Sequence, residues 1–388
     1  MLPEFDNTEI AFQYRSDKEL KHARFLFSSM GSPALTNIGI KMTKLALALH
    51  LPVKGIIKST LFDHFCGGET MEEAAQTAAM LGKYGIGTIL DYGVEGKESE
   101  NDFDNAVPEF IKAIKYAATS KYIPFISLKV TGFAYFALLE KVHTGEKLTD
   151  DETAAWQRVY SRIDQVCKAA ADNNIMVLVD AEESWIQKPV DELTNVMMAR
   201  YNKKKVIVFN TFQLYRHDRF VFLKESCETA RKEGYLLGAK LVRGAYMEKE
   251  RKRAAEMGYP SPIQPDKQAT DIDYDAATLY CLQHLNDLAL FVGTHNETSC
   301  LKVAKYMLDH NIPANTERVY FSQLYGMSDN VSFNLAHEHY HVAKYLPYGP
   351  VKDVIPYLMR RAQENTSVAG QTGRELSLIA KEIKRRNI

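Results

Sequence analysis

The sequence predicts an α/β fold, a (β/α)8 barrel of the TIM type with a helical N-terminal arm. Three observations carry this expectation. From Gly85 onward, eight short apolar, β-branched runs alternate with longer segments of helical spacing, the pattern of a closed parallel barrel. The first halves of these runs are almost continuously apolar, as strands covered on both faces must be. Their ends are polar, and in such a barrel the C-terminal rim of the strands holds the active site.

In order, the predicted strands are IGTILDYG from Ile86, FISLKV from Phe125, IMVLVDAEE from Ile175, VIVFNTF from Val206, GAKLVRGAY from Gly238, ALFVGTHN from Ala289, VYFSQLYG from Val319 and YHVAKYLPYG from Tyr340. Lys129, Asp180 with Glu182 and Glu183, Arg243 and Tyr246, Thr294 and His295, Gln323 and Tyr345 thereby gather at strand ends. Residues 1–84 are expected to form the helical arm and 85–388 the barrel.

The composition is that of a globular chain, with 388 residues, 46% hydrophobic and 25% charged. Lys plus Arg number 48 against 49 Asp plus Glu, so there is no field of one sign to hold a nucleic-acid backbone. Five widely spaced cysteines without a CxxC pair read as reduced thiols. The acidic start, MLPEFDNTEI, lacks the order of a signal or transit peptide, so the expected location is cytoplasmic. Between Thr36 and Phe62 the lysines and Pro52 interrupt any apolar run long enough to span a bilayer. The basic amphipathic helix expected there docks on the barrel, with peripheral contact to the inner face of a membrane as the alternative.

The helix after the eighth strand carries Tyr357, Arg360, Arg361 and Glu364 at spacings of three and four, on one face. A guanidinium grips a carboxylate at two points, so this pair, placed beside the rim, is expected to bind and orient an acid. Lys129 and Asp180, at neighbouring strand ends, are either a structural ion pair or a lysine facing a ligand with an aspartate orienting it. In KLVRGAY, Lys240 and Arg243 point to opposite faces while the strand stays regular, and Gly244 admits close backbone approach, which suits an anionic cofactor. HEHYH spaces His337, His339 and His341 by two, on one face at the start of the last strand and away from the rim, and no metal site is expected. No GxGxxG opens a helix after a strand, so a nicotinamide site has no support.

Together FDHFCGGET, SLKVTGF, VLVDAEES, KLVRGAYMEKERKRA, GYPSPIQPDKQATD, VGTHN, FSQLYGMSDN and YLPYGPVKDVIPYLMRR, in that order from about Phe62 to Arg361, resemble the proline dehydrogenase family. KLVRGAY and YLPYGPV are similar to its stand-alone, eukaryotic-type branch. The resemblance implies oxidation of L-proline to 1-pyrroline-5-carboxylate by hydride transfer to FAD, with a quinone as acceptor and a pyrroline-5-carboxylate dehydrogenase downstream. It implies that Arg360, Arg361 and Lys129 clamp the substrate carboxylate and that Tyr345, Tyr246 and Leu324 pack about its ring, with Tyr357 beside the arginines. Asp180 would hold Tyr345 or Lys129, which with Lys240 makes Lys129, Asp180 and Lys240 the catalytic group, and Glu69 would form a gate with an arginine.

For FAD the resemblance implies Lys240, Arg243, Gly244, Ala245, Thr294 and His295, with Gln323, Lys267 and Thr270 as further contacts. Two departures stand out. Lys240 replaces an arginine of the bacterial bifunctional branch, and Asn210 replaces a glutamine, which puts that residue's hydrogen bond to the flavin in doubt. Other readings stay open at this point: a 4-hydroxyproline dehydrogenase, a metal-dependent barrel hydrolase motivated by HEHYH and DAEE, and a membrane-associated amino-acid sensor motivated by the basic helix.

Overall fold

The structure is a computed structural model that describes residues 1–31, 42, 54–92, 98–367 and 371–388, and among these the side chains of all but 54, 56, 362–367 and 371. Eight strands, β1 (Ile86–Tyr92), β2 (Phe125–Leu128), β3 (Met176–Val179), β4 (Val208–Gln213), β5 (Leu237–Val242), β6 (Leu288–Gly293), β7 (Val319–Leu324) and β8 (Val342–Tyr348), follow one another in a closed parallel barrel. The fold class expected from the sequence is the one observed. By its contacts the chain forms two compact units, Met1–Val94 with Gln323–Ile388, and Glu95–Ser322.

Within Glu95–Ser322, register decides which side chains face inward. Thr211, Lys240, Phe291 and Tyr320 are successive partners across β4 to β7. Phe125, Phe209, Phe291 and Tyr320 meet with ring centroids 5.1 to 6.4 Å apart, an aromatic layer inside the sheet. Side chains alternate along a strand, so Phe209, Thr211 and Gln213 face inward on β4 while Asn210 faces the helices.

The other unit gathers both chain ends. Asp17–Met30 begins on a capping box in which Ser16 and Glu19 satisfy each other's backbone N–H. Its apolar face, with Leu20 and Phe27, joins Phe12 of the helix Thr8–Phe12, Val354 and Leu358 of the helix Val351–Ser367, and Leu378 and Ile379 of the C-terminal helix Gln371–Arg386 in one core. Arg386 locks the two ends together by donating to the carbonyls of Phe12 and Arg15, both at 2.8 Å.

A buried carboxylate sits at the centre of this unit. Asp329, at the start of the helix Asp329–His337, accepts from Tyr14 Oη at 2.7 Å, from Arg15 at 3.0 and 3.2 Å, and from Lys344 Nζ on β8 at 2.8 Å. Burial alone pushes its pKa up, but the charges of Lys344 and Arg15 and their hydrogen bonds hold it well below the usual carboxylate range.

The histidine run does not lie on a strand. His337 ends the helix, His339 takes a left-handed φ of 64°, and β8 starts only at Val342, so the spacing of two carries no common face. The helix stops there because Tyr340 N and His339 N turn back to the carbonyls of Leu335 and Ala336. The basic helix expected between Thr36 and Phe62 lies mostly outside the described residues; its end is the short helix Lys54–Ile57 and a π-helical turn, Lys58–Phe62. Among the described residues no helix is long and apolar enough to cross a membrane.

Asp329→Ala strands two buried cations and should destabilise the protein by about 3–5 kcal/mol, read from urea unfolding. A loss below about 1 kcal/mol would mean that the cluster is not what holds the chain ends. Because the folded pKa of Asp329 is depressed, its contribution is present above the unfolded value and is lost as pH falls below about 4.

Candidate functional site

In Glu95–Ser322 the chemistry lies at the C-terminal ends of β2, β3 and β5. Lys129 follows β2, Asp180 follows β3, and Lys240 lies within β5 on its inward face. Lys240 Nζ donates to Asp180 Oδ1 at 2.6 Å, and Lys129 Nζ lies 3.7 Å from Asp180 Oδ2. Two lysines thus share one aspartate beside buried apolar strands. Lysines at a strand end are groups of the kind that can bind an anion. Lys129 and Asp180 retain 26% and 16% of their side-chain exposure, enough to be reached, while Lys240 retains 6%.

Glu182 lies beside this group and is buried. Its carboxylate accepts from Thr131 Oγ1 at 2.7 Å, and its backbone N–H donates to Gln187. Burial pushes its pKa up, against the charge of Lys129 and the Thr131 hydrogen bonds, to about 7. Its neighbour Glu183 pairs with Lys249, and Glu250 accepts from Ser184 N and Oγ, so each acid of DAEES is committed separately.

At the ends of β5 and β6, Arg243 faces the helices, opposite to Lys240 as its spacing requires. Its guanidinium donates to Asp271 at 2.7 Å, Thr294 Oγ1 at 2.8 Å and Ser299 Oγ at 3.0 Å, and lies 4.3 Å from the Tyr274 ring centroid. Gly244 has a φ of +138°, and a Cβ there would sit 2.4 Å from the Tyr215 ring, so only glycine lets the chain turn here. Ala245 is exposed, and Tyr246 and His295 are half-buried.

Other expected ligand residues have different partners. Asn210 donates to Asp191 Oδ1 at 2.9 Å and accepts from Thr211 N at 2.9 Å, so both amide atoms serve the protein on the helix side of β4. A glutamine does stand on the inward face of β4: Gln213, its last residue, three places on in FNTFQ. Lys267 is a 68% exposed partner of Asp271, and Thr270 bonds the carbonyl of Asp266.

In the unit of the chain ends, Tyr345 is buried on β8, and its carbonyl accepts from Tyr325 N at 2.9 Å. Leu324, the last residue of β7, is partly buried against the core of this unit. Gln323, one place earlier and on the other face, accepts from Ser332 Oγ at 2.7 Å. Arg360 and Arg361 stand on the helix Val351–Ser367, where Arg361 is 8% exposed and stacks 5.2 Å from the Tyr357 ring centroid. Arg361 is therefore no member of a solvated charge ladder. The side chain of Glu364 lies outside the described residues. Glu69 accepts from Lys58 Nζ at 2.8 Å.

The family model "Proline dehydrogenase" matches residues 74–374. Proline dehydrogenase 1, mitochondrial, of Dictyostelium discoideum is 32% identical over 384 residues, covering 88% of this chain and 67% of that protein. A hydroxyproline dehydrogenase of Xenopus laevis is 31% identical over 413 residues, covering 97% of this chain and 88% of that one. Among solved structures, proline utilization A (PutA) from Bdellovibrio bacteriovorus inactivated by N-propargylglycine matches with a TM-score of 0.74 at 20% identity. That match covers 97% of this chain and 40% of the larger one, and it is a likeness of fold.

Glu182 makes a prediction about pH. Its folded pKa is raised, so the folded protein holds a proton that the unfolded chain releases, and stability is lost as pH rises from the unfolded value toward about 7. Thermal unfolding of Glu182→Gln should therefore decline less with pH between about 5 and 8 than that of the wild type. Parallel declines in the two proteins would mean that this carboxyl is not titrating there.

Proposed function

The chain belongs to the proline dehydrogenase family, and we propose that it oxidises L-proline to 1-pyrroline-5-carboxylate, with FAD as cofactor and a quinone as electron acceptor. The observation that supports this reading is the group of Lys129, Asp180 and Lys240, two lysines gathered on one aspartate at strand ends, cations of the kind that suit the carboxylate of an amino acid or the charge of a reduced cofactor. The reading places the enzyme in the cytoplasm at the inner face of the membrane, where a quinone is dissolved, with a pyrroline-5-carboxylate dehydrogenase consuming the product.

In this reading Arg360, Arg361 and Lys129 take the substrate carboxylate, and Tyr357 fixes the plane of the Arg361 fork. Leu324, Tyr246 and Tyr345 pack about the ring and exclude water. Asp180 orients both lysines, and Glu69, which also accepts from Lys58, gates the site with an arginine.

The residues present fit a flavin dinucleotide. A glycine turn that no side chain can replace, a guanidinium anchored by Asp271, and a threonine hydroxyl at the next strand end are donors of the kind an anionic cofactor needs. Arg243, Gly244, Ala245, Thr294, His295 and Lys240 would hold FAD, joined by Gln213. Asn210, Gln323, Lys267 and Thr270, each of which also bonds to the protein, would be further contacts. When bound, FAD supplies the hydride acceptor.

A second reading, in which 4-hydroxyproline is the preferred substrate, is favoured by the Xenopus laevis relative's name. The ratio of kcat/KM for the two amino acids decides between them.

The purified protein should be yellow, or become so with FAD, and should bleach when L-proline is added without oxygen. A protein that cannot be reconstituted sinks the proposal. Arg361→Ala should raise KM for proline about thirtyfold, the loss of a charged hydrogen bond of about 2 kcal/mol, and unchanged saturation would remove Arg361 from the clamp.

A further inference from the structure

The loop Leu324–Ser328, between β7 and the helix that follows, is tied down from several elements of its own unit. Lys344 Nζ donates to the carbonyl of Met327 at 2.5 Å and reaches that of Leu324 at 3.4 Å. His64 Nε2 lies 2.9 Å from the carbonyl of Gly326. Burial pushes the His64 pKa down to about 3, so the ring is neutral, and Nε2 must carry the proton that a carbonyl accepts. Gly326 has a φ of +78°, and a Cβ there would sit 2.3 Å from the His64 carbonyl oxygen. Tyr325 N donates to Tyr345 O at 2.9 Å.

The last tie comes from the far end of the chain. Ser328 N donates to Glu375 Oε1 at 2.5 Å, across 47 residues of sequence. Glu375 stands on the C-terminal helix with 5% exposure. Connecting loops ordinarily give their backbone groups to water. This one gives them to buried side chains, and it starts at Leu324 and is bonded to Tyr345. Those two residues form the wall on which the substrate ring rests in the activity proposed above.

We propose that Glu375 is a positioning residue: by holding Ser328 it fixes the loop against β8 and so sets the places of Leu324 and Tyr345, which makes the C-terminal helix a determinant of ring recognition. The inference rests on the proposed activity. Lys344 acts in the same way from β8, but it also neutralises Asp329, so Glu375 is the cleaner residue to test.

The test uses the full chain loaded with FAD and compares wild type, Glu375→Ala and Glu375→Gln, whose amide oxygen still accepts from Ser328 N. Glu375→Ala should keep its flavin, exchange the amides of 324–328 about tenfold faster, and raise KM for proline about tenfold with a smaller change in kcat. It should also narrow the preference between proline and 4-hydroxyproline, and Glu375→Gln should restore all three readouts. If Glu375→Ala does not fold, Glu375→Asp, which withdraws the acceptor by one methylene, is read in the same way. Faster exchange with wild-type KM and preference overturns the inference, as does unchanged exchange. A wild-type protein that does not bleach with proline overturns the activity and the inference together, whereas one that bleaches while the folded Ala or Asp variant keeps wild-type kinetics overturns the inference alone.

Discussion

The carboxylate of Asp329 is the group around which the unit of the chain ends is built. Taking a charge out of water costs several kcal/mol, and such a group survives only where partners surround it. Asp329 has three, Tyr14 and Arg15 from the N-terminal arm and Lys344 from β8. The partners arrive from two distant parts of the chain, so the charge is satisfied only when the N-terminal arm, the helix after β7 and β8 are all in place. Apolar packing alone is less selective, because the same leucines and phenylalanines tolerate small shifts of one helix over another. The ion cluster gives that packing a single register.

The same logic runs through the other unit on a smaller scale. Asp180 is held between Lys129 and Lys240, Asp191 between Asn210 and Arg219, and Asp271 between Arg243 and Lys267. The three differ in exposure. Asp191 and Arg219 are 7% and 5% exposed and neutralise each other, so they hold a helix to β4. Asp180 faces two lysines at a strand end, where it and Lys129 keep part of their surface.

How much of this was legible depends on the physical signal available. Parallel strands covered on both faces must be apolar, so all eight announced themselves, and so did the polar rim that follows them. The same continuity hides which residue of a strand faces inward. VIVFNTFQ has no alternation, so the residues alone do not tell that Asn210 faces the helices and Gln213 the interior. Register decides that, through the Thr211, Lys240 and Phe291 partnership. The histidine run misled for the opposite reason: its spacing of two matches a strand, but a left-handed His339 ends a helix there.

By itself the sequence determined the barrel and its polar strand ends, with Lys129 and Asp180 among them, because apolar periodicity and side-chain chemistry are properties of short stretches. Only the tertiary structure decided that Asp180 is shared by two lysines, that Arg361 is buried against Tyr357, that Glu375 reaches back to the loop after β7, and that Tyr14 and Arg15 meet Asp329. All but the Arg361 contact join residues tens to hundreds of positions apart. Their strength comes from burial, and burial exists only once the chain has folded.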